Sequence, residues 1–187
     1  MGVSEEKSWL RGIFRQEREI GYARDSWIQL LASDEISKAT VVASYLSYGS
    51  EPETSDINQQ LLALGKVLLL PRLLNDNDLE WASWDGSTGS LKKNGKVFEP
   101  TTAKYHDEES IGVVIVPALR IDRTGIRLGQ GGGSYDRALA RLATDCWKVG
   151  LIYAGELSAT SLPAEKHDQA LDAAATPHLV TRFYHEH

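Results

Sequence analysis

The chain has 187 residues, with 20 Lys+Arg against 26 Asp+Glu and a formal net charge of −6. That balance excludes a nucleic-acid binder built on a basic, phosphate-neutralising stripe, and 42% hydrophobic with 25% charged residues excludes disorder and fibrous repeats. At this length one domain over 1–187 is expected, able to bury roughly 70% of its unfolded surface without disulfide or metal.

The single cysteine, Cys146, can form no internal pair and leaves no zinc cluster, which fits a reducing compartment. The first fifteen residues lack the apolar core of a signal peptide, and apolar runs such as 67–71 fall far short of the ~20 residues that cross a bilayer. The expectation is a soluble cytoplasmic protein, without nucleic-acid or membrane partners, acting as a monomer or weak dimer.

Ser4 is placed to cap a helix whose first turn carries Glu5 and Glu6 at the positive end of its dipole. Trp9, Leu10, Ile13 and Phe14 follow at i, i+3, i+4 spacing, which predicts an amphipathic first helix. A second helical stretch is expected from about Arg24 to Lys38, with Trp27, Leu30, Leu31 and Ile36 inward. Ala39 to Leu46, rich in Val, Ala and Tyr, reads as a buried strand, and a polar loop runs from Ser47 to Glu53. Thr54 and Ser55 are natural caps for a helix over Asp56 to Leu64 that Gly65 closes. Lys66 to Leu70 is then a strand stopped by Pro71, completing a βαβ unit.

Leu79 to Trp84 alternates like an edge or half-buried strand, and Asp85 to Pro100 is an excursion of turns rich in Gly and Lys. Ile111 to Val116 carries no polar residue past Gly112, the pattern of a strand covered by helices on both faces. After Pro117 come a loop, the glycine run Gly129 to Gly133, and a helix from about Tyr135 to Ala143. Lys148 to Tyr153 and Leu179 to Tyr184 add two strands. The alternation predicts a three-layer α/β/α domain with a mostly parallel central sheet, Rossmann-like or similar to the isomerase and CoA-transferase sheets.

The most informative segment is Pro117 to Leu139, PALRIDRTGIRLGQGGGSYDRAL. Gly129-Gln130-Gly131-Gly132-Gly133 directly precedes a helix, so backbone N–H groups can converge on an anion at its positive end. It is not a Walker A loop, which needs Lys then Ser or Thr where Ser134-Tyr135 stand. Nor is it a Rossmann fingerprint, which would begin directly after the strand. Ordering four glycines in five positions is entropically unfavourable, so a ligand explains them better than a tight turn does. Arg127 and Arg137 flank the loop with positive charge, although Arg137 taken alone reads as a solvated surface residue. Asp136 adds a carboxylate able to hold Mg²⁺ on phosphates. On the first helix Lys7 and Arg11 lie four apart, continued by Arg15 and Arg18; taken alone, such a run is most often a solvated basic face, and an anionic ligand would relieve its repulsion.

The stretch VPALRIDRTGIRLGQGGGSYDRAL resembles the signature of the 5-formyltetrahydrofolate cyclo-ligase family, close to VPGLAFDxxGxRLGxGGGYYDRxL. Lys7-x-x-x-Arg11, YLSYGSEPET from Tyr45 to Thr54, Gly65-Lys66 followed by LLLPR to Arg72, Glu99-Pro100, and LPAEKHD from Leu162 to Asp168 fall in the family's order over nearly the whole chain. The resemblance implies an ATP- and Mg²⁺-dependent ligase that converts 5-formyltetrahydrofolate to 5,10-methenyltetrahydrofolate through a phosphorylated formyl oxygen. It implies that Lys7 and Arg11 contact ATP phosphates and that Arg127, Leu128, Gly129, Gln130, Gly131, Gly132, Gly133, Ser134 and Tyr135 wrap the nucleotide. Asp136 and Asp168 would bind Mg²⁺, and folate would lie against Leu46, Glu51 and the Gln130 to Ser134 face. Glu51 would orient the formyl group and pterin nitrogens, and Tyr135 would hydrogen-bond the reacting oxygen or phosphate.

Three positions depart from the pattern: Ser134 replaces a tyrosine, Ala118 a glycine, and Arg120 a small or apolar residue, which makes the approach to the site bulkier and more positive. Cys146 is expected to be a small, partly buried side chain, and His106, His178, His185 and His187 to lie on the surface, with His167 beside the site. Trp9, Trp27, Trp81 and Trp84 are expected in core or half-buried packing, with Trp84 able to border the pterin pocket. A sugar-phosphate isomerase or CoA-transferase-like enzyme needing no ATP, and a non-catalytic nucleotide- or folate-binding paralogue, are the alternatives.

Overall fold

The structure, a computed structural model, describes residues 2–21 and 25–184, so Arg24, His185 and His187 lie outside the described residues. Helix α1 spans Val3–Gly21. The predicted second helix is a 3₁₀ turn, Ile28–Ala32, and a short helix α2, Asp34–Lys38, broken at the extended Ser33. Strand β1 is confined to Val41–Ala43, shorter than the predicted 39–46, because the chain leaves the sheet there to enter the site. Helix α3, Ser55–Ala63, and β2, Val67–Leu73, complete the expected βαβ unit. Pro71 does not stop β2: β1 pairs only as far as Leu69, so the missing N–H of Pro71 faces no ladder on that side, and Pro71 aligns with Trp81 of β3, Leu79–Ser83.

The Asp85 to Pro100 excursion contains a hairpin, β4 Leu91–Asn94 and β5 Val97–Pro100, turned at Gly95 with φ +59°. Strand β6 is Ile111–Pro117; short strands β7, Arg120–Asp122, and β8, Arg127–Leu128, lead into the glycine loop. Helix α4 covers Ser134–Leu139, ending before the predicted Ala143. Strands β9 Trp147–Leu151, β10 Leu157–Ser158, β11 Ala173–Ala175 and β12 Val180–Arg182 finish the chain.

The main sheet runs β12-β11-β9-β6-β1-β2-β3, with the five inner strands parallel and both edge strands antiparallel. Alternation along β6 shows why the sheet needs cover on two faces: Val113 and Ile115 join one core with Trp27, Ile36, Ile57 and Leu61, while Val114 and Val116 join another with Trp81, Ala138 and Leu139. This is the predicted mostly parallel α/β architecture. Among the described residues no helix is long and apolar enough to cross a membrane.

Three expectations about side chains fail. Ser4 lies inside α1 and Trp9 is 59% exposed. The buried side chains of α1 are Lys7 and Arg18, while Leu10, Ile13 and Phe14 are only half-buried. The helix docks on the glycine loop, the Ala118 carbonyl and the carboxylates of Glu156, Glu165 and Asp168, whose acceptors select its basic face. Trp84 is half-buried against the Trp27 core, as expected, and donates Nε1–H to the Ser87 carbonyl, but it is not among the residues that line the pocket. Trp27 and Trp81 are core residues as expected, and Cys146, buried at 2% exposure, has a thiol that burial pushes up to about 12, leaving it inert at neutral pH. His106 and His178 are exposed.

Candidate active site

The chain crosses the carboxyl edge of the parallel sheet after β1 and after β6, and a cavity of about 350 Å³ opens there. Lys7, Arg11, Leu46, Glu51, Arg127 to Asp136 and Asp168 all line it, so the residues to which the family resemblance gives a role meet in one pocket.

The glycine loop is shaped by backbone need at two points. Gly133 adopts φ +68° as the residue before α4, and Gly131 adopts φ +107° with the Arg11 Cζ 3.3 Å from where a Cβ would sit. The basic face of α1 seats directly on this loop: Arg11 Nε donates to the Gly129 carbonyl at 3.0 Å, and Arg15 donates to both the carbonyl and the side chain of Gln130, each at 3.0 Å. It is therefore not a solvated face. Arg137 is exposed as expected, yet its Nη2 donates to the Asn77 and Gly132 carbonyls and steadies the loop.

Lys7 is 5% exposed and paired with Asp168 at 2.5 Å and Glu165 at 3.0 Å. Burial works against its charge, but the two carboxylates outweigh it and hold the ammonium above its ordinary value. Burial likewise opposes ionisation of Asp168, and Lys7 holds that carboxyl below the usual range. His167 is exposed beside this pair, its Nε2 3.9 Å from both carboxylates, and Glu165, His167 and Asp168 present ligand atoms within 4.8 Å of one another. Asp136, expected to share a metal with Asp168, stands outside that trio; Arg127 meets it at 3.1 Å and the Gln169 amide at 3.2 Å.

Arg127 is buried at 8% exposure, its Nε has no hydrogen-bond partner among the described residues, and its guanidinium lies 5.4 Å from the Tyr135 ring centre. A buried donor without an acceptor in a pocket wall costs about 1–3 kcal/mol and is what an anionic ligand would satisfy. Tyr135 rests edge-on against Trp81 at 6.4 Å, and burial together with the nearby Glu51 charge drives its phenol well above its ordinary pKa, so it remains a proton donor.

Glu51 lines the same cavity close to the glycine loop, 5% exposed, with its Oε2 accepting the Tyr48 amide at 3.3 Å. Burial raises its carboxyl to about 7, against the Tyr48 amide, Arg18 and Gln130, which favour the charged form. The Ser47–Glu53 loop is pinned from within: Thr54 Oγ1 and Asn58 Nδ2 both donate to the Tyr45 carbonyl, and Tyr45 donates to the Pro52 carbonyl. Thr54 stands at the N-cap position of α3 as expected, but its hydroxyl ties the loop instead of bonding the first amides of the helix.

Sequence reasoning missed part of the lining. Pro71, Leu73, Val97 and Phe98 form an apolar wall, and Phe98 on the β4–β5 hairpin is 52% exposed at the mouth. Asn94-Gly95 was a legible hairpin signal. In the sequence Arg18 stands out only as part of the basic run and Glu165 only as part of LPAEKHD; their pairing had no local signal, since their partners lie more than a hundred residues away.

A pocket of this kind, whose lining combines cations, a glycine loop, a buried carboxyl and apolar side chains, is that of an α/β small-molecule-binding protein. Comparison with known proteins narrows the class. A model of the 5-formyltetrahydrofolate cyclo-ligase family matches residues 8–177, and the chain belongs to that family. The 5-formyltetrahydrofolate cyclo-ligase of Mycolicibacterium smegmatis is 37% identical over 155 residues, covering 79% of this chain and 78% of that protein. The Escherichia coli cyclo-ligase is 28% identical over 175 residues, covering 88% and 92%. Among solved structures, the 5,10-methenyltetrahydrofolate synthetase of Aquifex aeolicus superposes with a TM-score of 0.80 at 26% identity, covering 97% of this chain and 94% of that one.

Proposed function

We propose that the whole chain, 1–187, is one catalytic domain that converts 5-formyltetrahydrofolate and ATP to 5,10-methenyltetrahydrofolate, ADP and phosphate, acting on small molecules in the cytoplasm. The observation that carries the reading is the seating of the Lys7 and Arg11 helix on the glycine loop, in the same cavity as Leu46 and Glu51. Family membership and the names of the relatives support the folate half of it.

An N-formyl group is an amide whose oxygen leaves poorly. In the proposed reaction the formyl oxygen attacks the γ-phosphorus and the bond to ADP breaks, giving an imidate phosphate. N10 of the folate then attacks the activated carbon, the N10 proton is lost, and the carbon–oxygen bond breaks to release phosphate and close the ring. Such transfer depends on positioning and on neutralising phosphate charge. Lys7, Arg11, Arg127 and the amides of Gly129 to Gly133 would hold the phosphates. Ser134 and Leu128 would border the nucleotide, and Tyr135 would donate to the reacting oxygen. Leu46 and Glu51 would hold the pterin and the formyl group.

The reading also implies Mg²⁺. The donor set fits it: Asp136 and Asp168 line the cavity with hard carboxylate oxygens, Glu165 adds another, and each of the two aspartates already faces a cation. When bound, the ion would neutralise phosphate charge.

The test is incubation with 5-formyltetrahydrofolate and Mg-ATP while following the methenyl absorbance. A rise that requires ATP and matches ADP release is expected. No rise together with tight nucleotide binding would replace the reading with a non-catalytic binder, and a turnover of sugar phosphate or CoA ester without ATP would replace it with the isomerase or transferase class.

A further inference from the structure

Arg120 stands where the family pattern has a small or apolar residue, and the added positive charge expected at the approach to the site is neutralised in the structure. Its guanidinium pairs with Glu17 and, through Nη1 at 3.0 Å, with Glu156, and lies 4.3 Å over the Phe14 ring. Glu156 is 6% exposed and is the centre of the cluster: it also accepts Arg18 Nε at 2.7 Å, Arg18 Nη2 at 2.5 Å and the Tyr153 amide at 2.9 Å. Arg18 Nη2 reaches on to the Ala118 carbonyl at 2.5 Å. Two glutamates and two arginines balance, and three of the participants, Phe14, Glu17 and Arg18, belong to the C-terminal half of α1.

Apolar packing alone does not fix this helix, since Leu10, Ile13 and Phe14 are only half-buried and its fully buried side chains are Lys7 and Arg18. Lys7 sits eleven residues before Arg18, about 16 Å along the axis at 1.5 Å per residue. A helix free to tilt by about 5° at the Arg18 end would displace Lys7 by roughly 1.4 Å, and misplacements of about 1 Å at a reacting group are enough to weaken its contribution many-fold.

We propose that Arg120 is a positioning residue for the phosphate end of the site: by completing the cluster with Glu17, Glu156 and Arg18 it fixes the C-terminal half of α1 and so sets where Lys7 and Arg11 stand. The inference rests on the reading that those two cations contact ATP phosphates. Arg120→Ala restores a family-type residue and leaves the buried Arg18–Glu156 pair intact, so the fold should survive. Glu17→Gln, at an exposed position, removes the outer arm alone.

Three measurements test it: amide hydrogen exchange of residues 3–21 in the free protein, KM for ATP against KM for 5-formyltetrahydrofolate, and kcat. Arg120→Ala should speed exchange of α1 several-fold and raise KM for ATP about 3- to 10-fold, with KM for folate and kcat within about twofold. Glu17→Gln should show the same pattern more weakly. In the Lys7→Ala background Arg120→Ala should cost less in KM for ATP, since one of the two cations it positions is gone and only Arg11 remains. Unchanged α1 exchange in both single variants, or equal rises in KM for ATP and folate, would overturn the inference. Lys7→Ala without effect on ATP would instead overturn the assignment of the phosphate site, while the exchange result would still judge the role of Arg120 in holding α1.

Discussion

Glu51 allows a quantitative test of the folate wall. Its carboxyl is 5% exposed, and burial raises it from 4.5 to about 7. Below pH 4.5 it is protonated in the folded and unfolded chain alike and adds no penalty. As pH rises from 4.5 towards 7 the unfolded chain releases this proton while the folded chain retains it, so folding becomes progressively less favourable; above 7 the full penalty is present. At about 1.4 kcal/mol for each tenfold change, the gap between the two values amounts to about 3 kcal/mol. Glu51→Gln removes the charge and keeps an oxygen to accept the Tyr48 amide. Urea unfolding of both proteins between about pH 4.5 and pH 8 should therefore show the variant gaining on the parent by about 3 kcal/mol across the range, because the other titrating groups cancel in the difference. The same variant should turn over folate more slowly, since the charge that destabilises the free protein is the one assigned to the pterin and formyl group. Stability curves that stay parallel across the range would refute the reasoning.

Lys7→Ala should raise KM for ATP at least about tenfold and KM for folate less than about twofold, read from initial rates of methenyl absorbance; equal effects would contradict its assignment to phosphate. Ser134→Tyr should not lower kcat/KM, because the family pattern carries the larger ring there, and a large loss would show a loop shaped for another ligand. Gly125→Ala forces a side chain onto a backbone at φ +82° and places its Cβ 2.3 Å from the Leu171 carbonyl oxygen. It should lower stability by at least about 2 kcal/mol, measured by thermal unfolding.

The parts of the fold that were legible in the sequence are those whose signal is local. Gly65, at φ +73°, closes α3 where a C′ glycine belongs, and the unbroken apolar run of β6 identified the strand that contributes to both cores. Strand β11 was illegible for the opposite reason: Ala173, Ala174 and Ala175 have little strand preference, and they are extended because they fill the space between β9 and β12 in register. Periodicity misled on α1. The spacing of Trp9, Leu10, Ile13 and Phe14 is a real amphipathic pattern, but the surface awaiting the helix is a row of carbonyls and carboxylates, so it buries Lys7 and Arg18 on the side that Phe14 shares and leaves Trp9 exposed. Those partners lie more than a hundred residues away, so no window of the sequence contained the reason.

That choice of face accounts for how an acidic protein can receive anions. A helix held by apolar packing would present its cations to solvent, where a net charge of −6 would leave them weakly focused. Here Lys7 is held on Asp168 and Glu165, and Arg11 on the Gly129 carbonyl, at the rim of the cavity the ligand would enter. On the proposed reading, Lys7 and Arg11 would turn from these partners to phosphate oxygens, and the carboxylate of Asp168 would be left to hold Mg²⁺. The buried charges then remain paired before and after binding, so neither state leaves an isolated ion in low dielectric. The Arg18–Glu156 pair at the far end of the helix lies outside that exchange, so on the same reading it would hold the helix in place while the near end changed partners.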